Sequence, residues 1–456
     1  MASHRVFTSN KVFLPTGPSP ATIEVKQGKI SAIHLEVLPR TAFAGLNDED
    51  YIDAGDSWIL PGLVDAHVHL NEPGRTEWEG FATGTAAAAS GGVTTVIDMP
   101  LNAIPPTTTV SNLHEKLEAS KGQCRVDVGF YGGVIPGNED HLVPLAKEGV
   151  KGFKCFLIES GVDEFPCVNE EEVLRAMPKL AEADSLFLFH AELDCGALSH
   201  SHAEPSPSEY STFLTSRPES LETSAISLIT RCAEQHPTLR THIVHLSAAS
   251  ALPQLRAARA KGLPLSVETC FHYLVLSAEQ IAKGDTLYKC CPPIREEINR
   301  EALWQALLAD EIDFVVSDHS PCTVELKRLE DGDFMKAWGG IGGLGLGLSL
   351  LWTEANRRGV GMERVVQWVC ERPAKQVRLH ESKGSLKVGW DADIAIFDPE
   401  LHFTVDKSEL HFKNRSSPYE GLTLTGAVMH TYLRGERIFS RATGFKGLEP
   451  TGRLLL

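Results

Sequence analysis

The chain has 456 residues, of which 42% are hydrophobic and 23% are charged, proportions typical of a folded globular protein. Its formal net charge of −17 argues against a nucleic-acid partner or an anionic membrane surface, both of which attract basic proteins. No apolar run reaches the length of a transmembrane helix, and the ten cysteines lack the regular spacing of a disulfide framework, so we expect reduced thiols in a cytoplasmic protein.

Residues 1–59 alternate short apolar and polar runs between turn signals, as in residues 23–30. The same pattern returns in residues 384–456, for example in residues 389–398. Alternation with a period of two is typical of half-buried antiparallel strands. We therefore predict a small β-sandwich domain formed from both chain termini, followed by a C-terminal tail.

Residues 60–383 contain eight apolar runs that alternate with amphipathic stretches. The predicted strands lie near residues 62–69, 93–99, 126–132, 151–157, 186–191, 241–246, 264–270 and 313–317. The predicted helices lie near residues 78–90, 109–121, 138–148, 169–184, 219–236, 248–261 and 296–309. Alternation of strands and helices predicts a parallel sheet, and eight repeats predict its closure into a (β/α)8 barrel. The expected fold class is therefore α/β: a TIM-like barrel with a small β-sandwich domain.

Polar residues stand at the carboxyl ends of five of the predicted strands: His67, His69, Lys154, His190, His245 and Asp318. The carboxyl ends of barrel strands meet at one face, so these side chains are expected to share a site. His67 and His69 are two residues apart in a strand and can therefore face the same ion. Four imidazoles and a carboxylate form a ligand set that suits zinc.

Lys154 is the unusual member of this set, because an ammonium group has no lone pair to offer a metal ion. Burying it unpaired beside cations would also be unfavourable. Two states relieve this conflict: a neutral amine, or a carbamate formed with CO2 that can bridge two ions. The residue chemistry alone leaves both open.

Longer segments of the chain resemble the cyclic-amide hydrolases of the amidohydrolase superfamily, and within them the allantoinase family. The resemblance extends from about residue 10 to the end and is densest in residues 67–75, 78–80, 98–102, 152–156, 289–295, 317–322 and 336–340. It implies a carboxylated Lys154 that bridges two zinc ions. It also implies that Asn102 and the loop containing Cys291 line the substrate pocket, and that the protein is a homo-oligomer, often a tetramer in such families.

The expected mechanism combines this resemblance with electrostatics. The first ion is assigned to His67, His69 and Asp318, and the second to His190 and His245. Metal binding lowers the pKa of water from about 15.7 to about 7, which supplies hydroxide at neutral pH. We expect Asp318 to be the catalytic residue that takes the proton from this water and passes it to the leaving nitrogen.

The substrate is inferred from departures from related families. Dihydroorotases typically carry an arginine two residues after the second histidine of the first strand, where this chain has Asn71. Hydantoinases and dihydropyrimidinases usually carry a tyrosine in the loop after the lysine strand, and residues 156–161 contain none. A small neutral ring remains, so we expect allantoin to be hydrolysed to allantoate. The alternatives are another cyclic-amide hydrolase, or a non-catalytic scaffold relative that would have lost metal ligands.

Four further histidines lie outside this ligand set. His200 and His202 lie in the polar stretch 199–211, where we predict solvated side chains in an exposed loop. His272 follows the seventh strand, where it either packs within the loop or touches the substrate. His319 adjoins Asp318, and we expect it to support the ligands from behind rather than bind metal.

Overall fold

The structure, a computed structural model, describes residues 4–194 and 206–456. His200 and His202 therefore lie outside the described residues. The N-terminal strands are β1 (His4–Leu14), β2 (Gly17–Lys26), β3 (Lys29–His34), β4 (Tyr51–Asp53) and β5 (Trp58–Pro61). The central strands are β6 (Leu63–Val68), β7 (Val93–Asp98), β8 (Asp127–Phe130), β9 (Gly132–Gly133), β10 (Phe153–Phe156), β11 (Leu186–His190), β12 (Arg240–Ile243), β13 (Leu265–Cys270) and β14 (Phe314–Val316). The C-terminal strands are β15 (Ile394–Thr404), β16 (Thr423–Leu433), β17 (Glu436–Ser440) and β18 (Leu454–Leu455).

The helices lie mainly between the central strands. They are α1 (Phe81–Ser90), α2 (Val110–Ser120), α3 (Glu139–Lys147), α4 (Glu170–Glu182), α5 (Tyr210–Ser216), α6 (Glu219–Gln235), α7 (Leu252–Ala260), α8 (Phe271–Val275), α9 (Glu297–Leu308), α10 (Gly347–Arg357), α11 (Met362–Val366) and α12 (Arg372–Gln376). A π-helical turn, Gln367–Glu371, joins the last two. Short 3-10 turns occupy Arg40–Ala42, Asp48–Asp50, Ala249–Ala251, Ala278–Gln280, Thr286–Tyr288, Val324–Lys327 and Lys407–Glu409.

The central strands form the predicted barrel, in which neighbouring strands are parallel. Strand β9 continues the direction of β8 and pairs with β10, which joins the two halves of the sheet. Strand β14 returns to β6 through a parallel bridge between Val68 and His319. The predicted α/β barrel fold is confirmed.

The barrel strands are buried almost throughout: every residue of β11 is buried, and only Arg240 in β12 and Ser266 in β13 are partly exposed. Both faces of parallel strands covered by helices are shielded from solvent, so their sequences are continuous apolar runs without alternation of apolar and polar residues. Helix α4 shows how the covering helices begin and pack. Asn169 and Glu172 form a capping box at its start, and its inward face buries Val173, Met177 and Leu180.

The strands from both chain ends join in one eight-stranded sheet with the order β17-β16-β15-β5-β1-β2-β3, to which β4 adds beside β1. The two ends meet where β5 pairs with β15 in antiparallel register, Ile59 opposite Ile396. A register shift between Ser9 and Val12 divides β1, so that one part pairs with β4 and the other with β5. The sheet thereby encloses an apolar cluster of its own, separate from the barrel core.

Some elements were not anticipated. The stretch predicted as an exposed loop, 199–211, ends in α5, and the short helix α8 follows β13 directly. The tail also contributes a strand, since β18 pairs in parallel with β8 at Val128 and Gly129. In residues 4–194 and 206–456, no helix has both the length and the apolar character needed to cross a membrane.

Candidate metal centre

The six predicted ligands converge on one cavity of about 290 Å³ at the carboxyl ends of the barrel strands. They are His67, His69, Lys154, His190, His245 and Asp318, and all six are buried. His67, Lys154 and His190 belong to β6, β10 and β11 themselves. The folding of the barrel therefore brings together side chains as far apart in the chain as His67 and Asp318, which are separated by 251 positions.

His245 and Asp318 lie two residues beyond their strands and share an unusual backbone conformation. Their φ angles are 41° and 44°, in the left-handed region that non-glycine residues rarely adopt. Such conformations cost about 1–3 kcal/mol each and persist where the surrounding structure enforces them, commonly at functional sites.

The first group of ligand atoms surrounds the Asp318 carboxylate. Its Oδ1 lies 3.1 Å from His67 Nε2 and 3.4 Å from His69 Nε2. The buried His67 Nε2 has no hydrogen-bond partner in the described part of the chain, because its contact with Asp318 lacks hydrogen-bond geometry. His67 Nδ1 is occupied by Glu268 Oε1 at 2.5 Å, and burial lowers the pKa of His67 well below its usual value. A neutral ring with one free nitrogen facing a carboxylate is suited to binding a cation.

The second group consists of His190 and His245, whose Nδ1 and Nε2 atoms lie 3.0 Å apart. His190 donates its Nε2 hydrogen to the Glu192 carboxylate at 2.8 Å, which leaves the Nδ1 lone pair directed at His245. Burial lowers the pKa of both histidines, so both rings are neutral at pH 7. Two neutral nitrogens at this separation can share one ion, since Zn–N bonds are about 2.0–2.1 Å.

Lys154 lines the same cavity as the two groups and is only 1% exposed. Among the described residues it forms no ion pair, and its Nζ lies 5.2 Å from the centre of the Phe156 ring. Burial lowers the pKa of Lys154 to about 8. A fraction of the side chain is therefore neutral amine at pH 7, which is the form that can react with CO2.

The types and positions of these side chains suit a metal centre. Ligand atoms of His67, His69 and Asp318 all lie within 4.8 Å of one another. Imidazole nitrogens and a carboxylate suit zinc and similar divalent ions. Such an ion would also provide a partner for the buried Nε2 atom of His67, which has no hydrogen bond among the described residues.

The two residues predicted to contact substrate, Asn102 and Cys291, also line the cavity. The Asn102 amide lies 3.3 Å from His69 Nδ1, and its Oδ1 is buried without a hydrogen-bond partner among the described residues. Asn102 is thus placed to hold His69 as well as to meet a ligand. Burial raises the pKa of the Cys291 thiol, which keeps it neutral.

His319 and His272 do not line the cavity, although a ring nitrogen of His272 lies within 4.8 Å of an Asp318 carboxylate oxygen. His319 Nε2 lies 3.0 Å from Glu79 Oε2, and its Nδ1 accepts the backbone N–H groups of Gly343 and Leu344. The supporting role expected for His319 stays a prediction. His272 is fully buried, burial lowers its pKa to about 4, and neither of its ring nitrogens has a hydrogen-bond partner in the described ranges.

Several residues of the site were not predicted from the sequence. Glu192 and Glu268 form hydrogen bonds with the candidate ligands His190 and His67, and Arg217, Lys289 and Trp338 line the cavity. Glu192 could have been suspected because it follows His190 by two residues, a spacing that keeps both on one side of an extended chain. Arg217 and Lys289 had no such local signal.

Comparisons with known proteins agree with this geometry. Residues 58–438 match the model of the amidohydrolase family. The chain belongs to the amidohydrolase family. Among related members, the allantoinase of Saccharomyces cerevisiae is 49% identical, with 98% of each chain covered. The allantoinase of Arabidopsis thaliana is 42% identical over 96% of this chain and 88% of the relative.

Solved structures agree on the fold of this amidohydrolase. An L-hydantoinase from Arthrobacter aurescens superimposes with a TM-score of 0.91 at 27% identity, covering 99% of this chain and all of the other. A dihydropyrimidinase from Brevibacillus agri superimposes with a TM-score of 0.86 at 28% identity, covering 99% and 98%. Amidohydrolases act through a metal centre, and the cavity described above holds the candidate ligands for one.

Proposed function

We propose that this protein hydrolyses the cyclic amide bond of allantoin to give allantoate. One observation carries the proposal: all six candidate ligands face one cavity in a chain that is 49% identical, almost from end to end, to a protein named allantoinase. The intact ligand set also argues against the alternative of a non-catalytic scaffold relative.

We assign His67, His69 and Asp318 to one zinc ion, and His190 and His245 to a second, with carboxylated Lys154 shared between them. The assignment is supported by the 3.1 and 3.4 Å contacts of Asp318 with the first pair of histidines and by the 3.0 Å contact within the second pair. Two such ions would supply Lewis acidity to the amide carbonyl and lower the pKa of water from about 15.7 to about 7.

Asp318 performs the proton transfers in this proposal. Its carboxylate lies on the cavity surface beside His67 and His69, where it accepts a proton from the attacking water and delivers it to the leaving ring nitrogen. Glu192 and Glu268 keep His190 and His67 in fixed orientations through hydrogen bonds to their rings.

The cavity favours a small, uncharged ring. Its volume of about 290 Å³ is near the lower end for ligand sites. Two cationic side chains of the cavity lining are already engaged, since Arg217 pairs with Glu192 and Lys289 donates to the carbonyls of Met335 and Ala337. Asn71, which stands where a dihydroorotase has arginine, donates to the Pro321 carbonyl at 3.4 Å. A substrate carboxylate therefore gains little from this wall.

A substrate panel on purified, zinc-loaded protein tests the function. We expect kcat/KM for allantoin to exceed that for hydantoin, dihydrouracil and dihydroorotate by about 100-fold or more, equivalent to about 2.7 kcal/mol of discrimination. Protein stripped of metal by a chelator serves as the negative control. A higher kcat/KM for dihydroorotate or dihydrouracil would refute the assignment.

We also propose an oligomeric state and a cellular compartment for the protein. We propose that the protein is a homotetramer. Light scattering of the protein as it elutes from a size-exclusion column tests this, and the expected result is the mass of four subunits. We propose a cytoplasmic location, supported by the nine free cysteines among the described residues. Co-localisation of a tagged chain with a cytosolic marker would test it, and an organellar pattern would contradict it.

A further inference from the structure

Part of the cavity surface is built from backbone rather than from side chains. We call this surface the pocket wall and define it as residues 289–291 and 338–340, all of which line the cavity. A Cβ atom on Gly340 would lie 2.1 Å from the Ser320 carbonyl oxygen, and one on Gly339 would lie 3.0 Å from Cys291 Sγ. The wall thus has no room for side chains at these two positions, and Gly339 and Gly340 contribute only backbone atoms to the cavity lining.

The pocket wall lies outside helices and strands, so its shape depends on individual hydrogen bonds. Gly340 N donates to the Lys289 carbonyl at 2.9 Å, which ties the two segments together. The ammonium group of Lys327 then binds the carbonyl oxygens of Lys289 and Trp338, each at 3.2 Å, and that of Gly340. All three N–H donors of Lys327 therefore form hydrogen bonds with carbonyl oxygens of the pocket wall.

Lys327 is itself held firmly in place. It ends the 3-10 turn Val324–Lys327, its own carbonyl accepts the Thr286 hydroxyl, and the preceding carbonyl of Leu326 accepts Trp338 N at 2.8 Å. Its side chain is only 4% exposed, and it forms no ion pair with any described carboxylate. A buried cation without a counter-ion is costly, and here three carbonyl dipoles replace the counter-ion.

The direction of these carbonyls determines the direction of the neighbouring N–H groups. In a trans peptide the C=O and N–H bonds point in opposite directions. Because the Lys289 and Trp338 carbonyls face Lys327, the N–H groups of Cys290 and Gly339 face away from it. Among the described residues neither of these N–H groups donates to a backbone carbonyl, and both residues line the cavity.

We propose that Lys327 is a positioning residue for the substrate: its ammonium group fixes the peptides of the pocket wall so that the N–H groups of Cys290 and Gly339 present hydrogen-bond donors to a ring carbonyl. The inference rests on the proposed hydrolysis of allantoin and adds the residue that shapes the binding surface. Lys327 touches neither the substrate nor the candidate metal ligands.

The test is steady-state kinetics of Lys327→Met on zinc-loaded protein, with metal content measured on the same samples. Methionine fills a similar volume but donates no hydrogen bond. We expect kcat/KM for allantoin to fall about 100-fold, the typical effect of misplacing substrate contacts by about 1 Å. The larger part should appear in KM, because the wall contacts are made before the transition state is reached. Metal content should remain that of the wild type.

Lys151→Met provides a matched control, since this half-buried lysine lies at the amino end of β10, away from the cavity. Its KM should stay within about two-fold of the wild type. Lys327→Gln keeps two N–H donors, so its KM should lie between those of the wild type and Lys327→Met. If Lys327→Met does not fold, the test uses Lys327→Gln instead.

Three results would overturn the proposal. The first is a wild-type KM in folded Lys327→Met or Lys327→Gln. The second is loss of metal in parallel with activity, which would assign the effect to the metal centre. The third is failure of both variants to fold, which would make Lys327 a purely structural residue. Inactivity of the wild-type protein on allantoin would instead refute the proposed function, so the two failures are distinguishable.

Discussion

Glu192 offers a direct test of how the second metal position is built. Its carboxylate is fully buried, accepts the Nε2 hydrogen of His190 at 2.8 Å, and also binds Arg217. Burial acts to raise the pKa of Glu192, but Arg217 and His190 together lower it below the usual value, so the group is anionic at pH 7. Glu192→Gln removes the charge while keeping an oxygen at nearly the same place.

Two effects of this change differ in size. Replacing an outer partner of a metal-binding histidine typically weakens metal affinity about 10–100-fold, or about 1.4–2.7 kcal/mol. Leaving Arg217 without its counter-ion costs about 3 kcal/mol of folding free energy, the low end of the range for breaking a buried pair, because the Arg217 side chain is still 22% exposed. We therefore expect Glu192→Gln to bind the second ion 10–100-fold more weakly and to lose slightly more in stability than in metal binding.

Metal affinity is measured by titration against a chelator of known affinity, and stability by urea unfolding of metal-free protein. Glu222→Gln is the matched control, because it breaks another buried pair, with Arg295 at 2.8 Å, without touching a ligand ring. It should lose stability and keep metal affinity. Unchanged affinity in Glu192→Gln, or an equal loss in both variants, would refute a specific role for Glu192.

The remaining predictions concern Asp318, Lys154 and His272. Asp318→Asn should lower kcat by about 10²–10⁴-fold, the usual contribution of general acid–base catalysis, and kcat within ten-fold of the wild type would contradict its role. Lys154→Ala should lose bound metal, whereas Lys154→Glu should keep some and short-chain carboxylic acids should partly restore the alanine variant. Elemental analysis of metal and ¹³C NMR after growth with labelled CO2 would check this, and an unmodified lysine in active, metal-loaded protein would refute it. The pKa of His272 is about 4 in the folded protein, below the unfolded value of about 6.5, so folding stability is lost as the pH falls between these values. In urea unfolding of metal-free protein, the stability lost on acidification should be smaller for His272→Phe than for the wild type, by about 2 kcal/mol at pH 5. An equal pH dependence of the two proteins would contradict a buried neutral ring.

The barrel and the convergence of the candidate ligands could be predicted because both depend on local patterns. An apolar run followed by His190 or Asp318 marks a strand and its carboxyl end, and parallel strands bring such ends together. The two-residue spacing of His67 and His69 is likewise a local signal. These parts of the prediction needed no knowledge of the packing between distant segments.

The supporting residues could not be predicted because their partners are distant in sequence. Glu268 reads as an ordinary strand residue, and its contact with His67 spans 201 positions. Lys327 lies in a run of charged and apolar residues that resembles an exposed helix, yet its partners are backbone carbonyls up to 38 positions away. Backbone acceptors carry no residue signature, so sequence alone cannot reveal that such a lysine is buried.

The pairing of β5 with β15 has a consequence for synthesis of the chain. Ile394 follows Pro61 by more than 300 residues, so the amino-terminal strands leave the ribosome long before their partner exists. At about 5–20 residues per second, the edge of β5 waits for roughly 15–70 s. An open strand edge is a template for pairing with other chains. The yield of folded protein is therefore expected to depend on chaperone protection of this edge during translation, even though the completed sheet covers it.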